Sequence, residues 1–580
     1  MNHQPMFRAL TIAGLLLTLL CPDYRVRAQW STDPNVNNPI CTTPSRYRSD
    51  LKMVSDGAGG AFLTWTGQTS PAGLPGTSLD VYAQRIDSSG LLPWGSDEAV
   101  LANSRLDQRL PFITSDDSGG ANITWGVRPF NPGLQNSLVF CQRLGANGTP
   151  HWALGGEFLA APFGDMYYYV PVSTGDGGGG VITAFQYGVG SSSFLMSTRI
   201  KASGAVQPLN GFWEGLADQR SLAINSDGVG GAIVAWALSS NIYAQRIDTS
   251  GVVHWNTNGV AILTGGSQRV GVPPTIMSDG AGGAIIAWLD SRTSYGIYAQ
   301  RVDSAGVVQW TTNGVPVTTA ANIPYEPPAL VSDNAGGAII AWRDTSSGMG
   351  IRVQRVTNAG VVLWDSSGVT IAPTPSLGPD NSPAIAADGV GGVIITWSDM
   401  RNGASNTDIY AQRVNASGVV QWTANGVAIS TATGDQSAPQ IVTNGGGDAI
   451  IAWLDLRNAG GSFQPAEIYG QRVNANGQLG GTTDAPDNGL GTPGAFKLNQ
   501  SYPNPFNPTT TFTFSIPRTG KVLLNVYNVL GQEVATVVNE TLNAGSYSRT
   551  FNAAGLASGA YFYRLNAGGF SETKRMLLVK

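Results

Sequence analysis

The sequence predicts an all-β protein: a closed, eight-bladed β-propeller of four-stranded blades whose last blade is completed by the N-terminal strand, followed by a C-terminal immunoglobulin-like β-sandwich. Three observations carry this reading. A block of the form Ser-Asp-Gly-x-Gly-Gly-Ala-Ile-Ile-Ala-Trp recurs eight times, its final aromatic at Trp65, Trp125, Phe185, Trp236, Trp288, Trp342, Trp397 and Trp453, at spacings of 51 to 60 residues. A second block, Tyr-Ala-Gln-Arg-Val-Asp with variations, keeps step with it and places arginines at Arg85, Arg143, Arg199, Arg246, Arg301, Arg355, Arg413 and Arg472. The composition agrees: 75 glycines in 580 residues and 12% charged residues suit a turn-rich β protein, while 42% hydrophobic residues in regular blocks argue against disorder.

Residues 1–28 read as a secretory signal peptide. Arg8 precedes an apolar run from Ala9 to Leu20, and Val26-Arg27-Ala28 forms an imperfect small-residue cleavage site. The run is short for a bilayer span, which takes ~20 apolar residues, and no other segment approaches that length, so no transmembrane segment is expected in the mature chain. Cys21 raises a lipoprotein alternative, against which Leu20 stands where a small residue is wanted. Cys41 and Cys141 read as buried thiols in preference to a disulfide framework. A net charge of −5 lacks the concentrated basic surface that a nucleic acid or anionic membrane requires.

Residues 29–480 are the repeat array. In the copy around Trp288, strands are predicted at Pro274 to Met277, Ala284 to Trp288, Ile297 to Asp303 and Val307 to Trp310, with Asp279-Gly280 and Asn313-Gly314 supplying turns that need positive φ. Four strands in ~50 residues fit a propeller blade. The eighth copy ends after Val473-Asn474-Ala475-Asn476-Gly477-Gln478-Leu479-Gly480 without its last strand. Gln29-Trp30, with Ile40 further on, resembles Gln421-Trp422 with Ile429, so the N-terminal segment is expected to supply that strand and leave no open sheet edge. The count reads as eight, with seven blades plus an irregular insertion around Met166 to Val170 as the alternative.

Residues 481–495 lose all periodicity and read as a linker. Residues 496–580 form a separate module with strand-like runs at Thr511 to Ile516, Val522 to Tyr527, Glu533 to Val538, Ser546 to Phe551, Gly559 to Leu565 and Ser571 to Val579. Its motifs are Tyr502-Pro503-Asn504-Pro505-Phe506-Asn507-Pro508, the stretch from Val526 to Val534, the stretch from Leu556 to Arg564, and the ending from Lys574 to Lys580. In this order they resemble the C-terminal sorting domain of type IX secretion cargo. That resemblance implies passage through the type IX machinery to the outer surface or exterior of a Bacteroidetes-type cell.

The search for chemistry in the array yields little. His3 falls in the signal peptide, and His151 and His254 occupy places held by Gln309, Leu363 and Gln421 in other copies, which builds neither a triad nor a metal site. A sialidase-like aspartate box needs Trp much closer to Asp than here. Glu98, Glu157, Glu214, Glu326 and Glu467 form no sequence cluster, leaving a glycoside hydrolase or lyase-like enzyme, or a purely structural surface or adhesion protein, as the alternatives to a binding protein. Each Asp-Gly turn offers one carboxylate, too few for calcium, and no cofactor is implied. The best candidate is Trp-x-Asp-x-Arg after the second strand: Asp290 with Arg292, Asp399 with Arg401, and Asp455 with Arg457. The connections between blades add Arg109, Arg220 and Arg269. These groups are expected on one face, either bridging the scaffold or binding a glycan or protein.

Overall fold

The computed structural model describes residues 30–579 apart from 44–46, 70–77, 96–98, 102–106, 129–137, 154, 161–170, 190–191, 215–221, 293–294, 319–322, 324–325, 346–349, 373–381, 404–405, 459–465, 481–495, 499–500, 502–505, 507 and 543–544. The expected signal peptide and linker, the segment Met166–Val170, Arg220, Tyr502, Pro503, Asn504, Pro505 and Asn507 lie outside the described residues.

Every regular element described is a β-strand. Eight four-stranded antiparallel sheets begin, from sheet 1 to sheet 8, at Arg48, Asp107, Val172, Leu222, Thr275, Ala329, Ala384 and Gln436, an arrangement consistent with a propeller. Seven of them take their strands in chain order. The first strands of successive sheets pack against one another, and sheet 8 packs back onto sheet 1.

Sheet 5 shows the local logic. Its strands are Thr275–Ser278, Ala284–Asp290, Gly296–Val302 and Val315–Thr318. Neighbouring sheets cover both faces of Ala284–Asp290, so every residue is buried and the sequence is a continuous apolar run without alternation. Asp279 Oδ1 accepts the N–H groups of Ala281 and Gly283, both at 2.8 Å, which folds the preceding turn; its Oδ2 accepts Arg301 Nη2 at 2.9 Å. The fourth strand lies one turn later than expected. Val307–Trp310 makes a single bridge, from Val302 to Val308, and then leaves the sheet. Buried Gln300 accepts the Trp310 N–H at 2.9 Å and donates to the Thr311 carbonyl at 2.8 Å, and the indole reaches the Asn358 carbonyl of sheet 6 at 2.9 Å. A ring of this size covers more apolar surface wedged between sheets than on an outer strand.

Sheet 8 closes with the N-terminus. Its order is Asn38–Cys41, Glu467–Val473, Ala449–Asp455, Gln436–Thr443, with Asn38 opposite Gly470. Gln471 donates to the Ser31 carbonyl, as Gln300 does to Thr311, and Trp30 Nε1 donates to the Ser88 carbonyl of sheet 1 at 2.9 Å. The ring seats on Gly90, φ +86°, where a Cβ would lie 3.2 Å from it; Trp422 sits equally on Gly477. Trp30, Ile40 and Cys41 share one core with Leu63 and Trp65 of sheet 1 and Ile450 and Ile468 of sheet 8.

Cys41 and Cys141 are buried and not joined in a disulfide, and burial pushes Cys141 up to about 12 against a hydrogen bond from Thr124. In the C-terminal module, Lys497–Leu498, Thr509–Ile516 and Gly545–Asn552 form one sheet; Glu533–Leu542, Gly520–Tyr527, Gly559–Ala567 and Phe570–Leu578 form another. They share a core containing Phe512, Phe514, Leu524, Tyr563 and Met576.

Candidate functional site

Asp290, Asp399 and Asp455 end the second strands of sheets 5, 7 and 8, and each is buried inside a clasp. The indoles of Trp288, Trp397 and Trp453 donate to one carboxylate oxygen at 2.8, 2.9 and 2.8 Å. Arg292, Arg401 and Arg457 donate to the same oxygen at 2.6, 2.5 and 2.6 Å. Each guanidinium lies over a third-strand tyrosine, Tyr298, Tyr410 or Tyr469, at 4.0, 3.7 and 3.8 Å from the ring centre. Arg292 also holds the Asn313 carbonyl and Arg401 the Asn425 carbonyl, whereas Arg457 holds the side chain of Asn37 at 2.9 Å and so ties the N-terminal segment to sheet 8.

Sheet 6 holds its aspartate with a different arginine, and the buried Trp342 indole finds no acceptor among the described residues. Arg352, standing where sheets 5, 7 and 8 place tyrosine, donates to Asp344 at 2.5 Å. In sheets 1 to 4 the aspartate is replaced by Gly67, Val127, Tyr187 and Leu238, and among the described residues the buried indoles of Trp65, Trp125 and Trp236 find no acceptor.

The connections between sheets do lie against these loops. Asp107 accepts the Leu79 N–H and Arg109 Nη2, both at 3.1 Å, and Asp435 accepts the Thr407 N–H at 3.0 Å. Gln268 bridges to Asp290, and the neighbouring Arg269 covers the Tyr295 ring at 4.3 Å. Arg109, Arg269, Arg292, Arg401 and Arg457 therefore stand at the same end of their sheets. The carboxylates of the clasps are consumed internally, while 27%, 24% and 11% of the Arg292, Arg401 and Arg457 side chains stay exposed.

Sequence reasoning missed two features. In sheets 7 and 8 a second carboxylate faces the clasp across the strands, Asp408 opposite Asp399 and Glu467 opposite Asp455. Asn402 donates to Asp408 at 2.6 Å, and Asn458 donates to Glu467 at 2.8 Å. Burial pushes the Asp408 carboxyl above its ordinary value, with the Asp399 charge adding to it and Asn402 and Arg401 opposing. Burial and the Glu467 charge push Tyr469 up to about 12. The signal available in sequence was the pair Arg-Asn followed by Asp-Ile-Tyr or Glu-Ile-Tyr. The second feature is the pairing of the turn aspartate with the block arginine, as in Asp56–Arg85 and Asp279–Arg301 at 2.8 and 2.9 Å. Sheet 8 keeps it in exchanged form: Asn444 takes the aspartate position, and Asp448, where the other copies carry glycine, accepts Arg472 at 2.5 Å.

A cavity of about 530 Å³ opens at the turn end of the first strands of sheets 1 to 4, lined by Val54, Ser115, Asp117, Thr174, Gly175 and Ser226 among others. His254 Nε2 lies 2.9 Å from Asp248 on an exposed turn. No cluster of three metal-ligating side chains occurs among the described residues.

These features define an all-β protein of four-stranded antiparallel sheets in a propeller-like arrangement, carrying polar clasps at one end of its sheets. The C-terminal module is more specific: residues 500–580 match the family described as the secretion system C-terminal sorting domain, the tail of type IX cargo, which implies interaction with that machinery and export to the cell surface or exterior. No helix among the described residues is long and apolar enough to cross a membrane. No curated protein matches the sequence. Among solved structures, a protein of unknown function from Dyadobacter fermentans aligns over 76% of this chain and 98% of its own at 10% identity, TM-score 0.37. The BP39L lectin from Burkholderia pseudomallei aligns over 68% and 99% at 12% identity, TM-score 0.42. An endo-arabinase from Bacteroides thetaiotaomicron aligns over 43% and 92% at 14% identity, TM-score 0.26.

Proposed function

We propose that the chain is an exported, non-catalytic binding protein of a Bacteroidetes-type cell. Residues 29–480 form an eight-bladed propeller closed by its N-terminal strand, and residues 496–580 form an immunoglobulin-like sandwich that directs export. The observation that supports binding is the set of guanidiniums clamped between carboxylate and tyrosine on one face, Arg292, Arg401 and Arg457, with Arg109 and Arg269 on the adjoining connections; Arg220, which follows Asp-Gln in the sequence as Arg109 does, is proposed to join them. A guanidinium held in place offers its outer N–H groups at little further cost in side-chain entropy, which suits sugar hydroxyls and the carboxylates of glycans or acidic peptides. Glycan and protein arrays probed with the full chain should give a ligand whose affinity falls at least tenfold in Arg269→Ala, a change outside the clasps. Arrays without any ligand would count against the proposal.

A propeller hydrolase is the second reading, favoured by the facing Asp399 and Asp408 and the raised Asp408 carboxyl, since glycoside cleavage uses a pair of carboxyl groups of which one serves as acid. Turnover of a polysaccharide panel, lost in Asp408→Asn with the fold intact, would establish it; no turnover on any panel member dismisses it.

A further inference from the structure

The described parts of the four stretches that carry the secretion resemblance meet at one end of the C-terminal module. In its four-stranded sheet Tyr527 stands opposite Phe562, Phe562 opposite Arg575, and Ala560 opposite Leu577. Directly paired residues share a face, as do residues two apart on one strand. Tyr527, Phe562 and Leu577 therefore lie on the outer face, while Val526, Tyr563, Met576 and Leu578 turn into the core. From Tyr527 the chain enters a hairpin tip. The Asn528 carboxamide oxygen accepts the N–H groups of Leu530 and Gln532, both at 3.0 Å, and Gly531, φ +76°, completes the turn. The tip is firmly built, yet it presents Val529 at 67% and Leu530 at 78% exposure. At the same end Phe506, buried in the core, pins the proline-rich stretch to the last strand: its N–H donates to the Leu577 carbonyl and its carbonyl accepts the Val579 N–H, at 2.9 and 3.0 Å.

Packing accounts for the buried members of these stretches. It does not account for Val529, Leu530, Phe562 and Leu577, all exposed. A turn held by asparagine and glycine tolerates polar residues at its two free positions, and water favours them there. The rim of the patch is of mixed charge: Arg575 is in its outer row, Arg564 lies 5.2 Å over the Tyr527 ring, and exposed Glu533 stands opposite Tyr527 at the base of the hairpin.

We propose that Val529, Leu530, Phe562 and Leu577 form the surface by which the secretion machinery captures this module, the hairpin tip entering an apolar groove. The proposal rests on the module's being a sorting domain. That role requires a partner, and all four residues stand inside the stretches that define the resemblance.

The test uses the full chain expressed in a bacterium with type IX secretion, with cell-surface, medium and periplasmic fractions measured separately. Val529→Ser with Leu530→Ser, and separately Phe562→Ser with Leu577→Ser, should lower the exported fraction at least tenfold and leave protease-resistant protein in the periplasm. Lys521→Ser, at the far end of the same sheet, should export normally. Export of the tip double variant at the wild-type level would overturn the proposal. If the second pair loses protease resistance, the tip pair decides alone, because neither of its side chains belongs to the core. Deletion of residues 500–580 separates the two levels: unchanged export after deletion refutes the sorting role itself, whereas blocked export with unaffected tip variants refutes only this surface.

Discussion

Sheets 5, 7 and 8 and sheets 1, 2, 4 and 6 are built on one repeat, but they treat the buried tryptophan at its centre differently: in sheet 6 Asp344 is held by Arg352, and the Trp342 indole finds no acceptor among the described residues. In sheets 5, 7 and 8 an aspartate two residues on accepts the indole and an arginine; in sheets 1, 2 and 4 that place holds Gly67, Val127 and Leu238, and the indole N–H has no acceptor among the described residues. Sheet 4 shows one reason. Its second and third strands join through only Ser239 and Ser240, a turn that needs no anchor, whereas the longer loops of sheets 7 and 8 are fastened by Arg401 and Arg457. The open cavity borders sheets 1 to 4, where Gly175 stands in the place of Ser55, Ser115 and Ser226. Residues that obey the repeat hold the frame, and departures from it make space.

The largest expected effect that separates the two groups is at the clasp. Asp290→Ala leaves the Arg292 charge and the Trp288 N–H without their partner and should cost about 3–5 kcal/mol, measured by denaturant unfolding of the full chain. Val127→Ala, at the matching place in sheet 2, removes only apolar contacts and should cost about 1–2 kcal/mol. Equal losses would erase the distinction. A second pair isolates the indole N–H. Trp288→Phe and Trp236→Phe sacrifice similar volume, but only the first also removes a hydrogen bond to a carboxylate, which Arg292 still holds, so the first should be worse by about 1–3 kcal/mol.

The smallest effect is in pH dependence. Burial pushes the Asp116 carboxyl of sheet 2 up, but the N–H groups of Ser118 and Gly120, the Ser118 hydroxyl and Arg143 outweigh it and hold the group below its ordinary 3.8. The unfolded chain then binds more protons just below that value, so the stabilisation is present above it and drains away as pH falls. Asp408 in sheet 7 is held above 3.8, chiefly by burial. There the native state binds the extra proton, and stability falls as pH rises through the window just above 3.8. Unfolding between about pH 3 and about pH 6 should therefore lose a rising slope in Asp116→Asn and a falling slope in Asp408→Asn; slopes of the same sign would contradict the assignment.

Much of this frame was legible in the sequence because each strand repeats one physical demand. A central strand covered on both sides must be apolar throughout, and a tight turn needs Asp-Gly, so the two blocks locate the sheets and the unmatched Trp30 points to sheet 8. The fourth strand was misplaced because Val307-Val308-Gln309-Trp310 has the composition of a strand, and only the reach of the Trp310 indole to Asn358 in the next sheet takes it out of line. The clasps were visible as Trp-x-Asp-x-Arg, but Asp408 and Glu467 were not, since their closeness to Asp399 and Asp455 arises from cross-strand register and not from spacing along the chain. The Asp–Arg pairs escaped for the same reason.

The central claim is closure of the sheet array by the N-terminal strand, and native-state hydrogen exchange at Asn38, Ile40 and Cys41 tests it most directly. Closure predicts amides protected about as well as those of Val315 and Val317, which occupy the same outer position in sheet 5, with protection at both places lowered together by Trp30→Ala. Exchange of the three N-terminal amides at the rate of an unstructured peptide, with sheet 5 still protected, would contradict it.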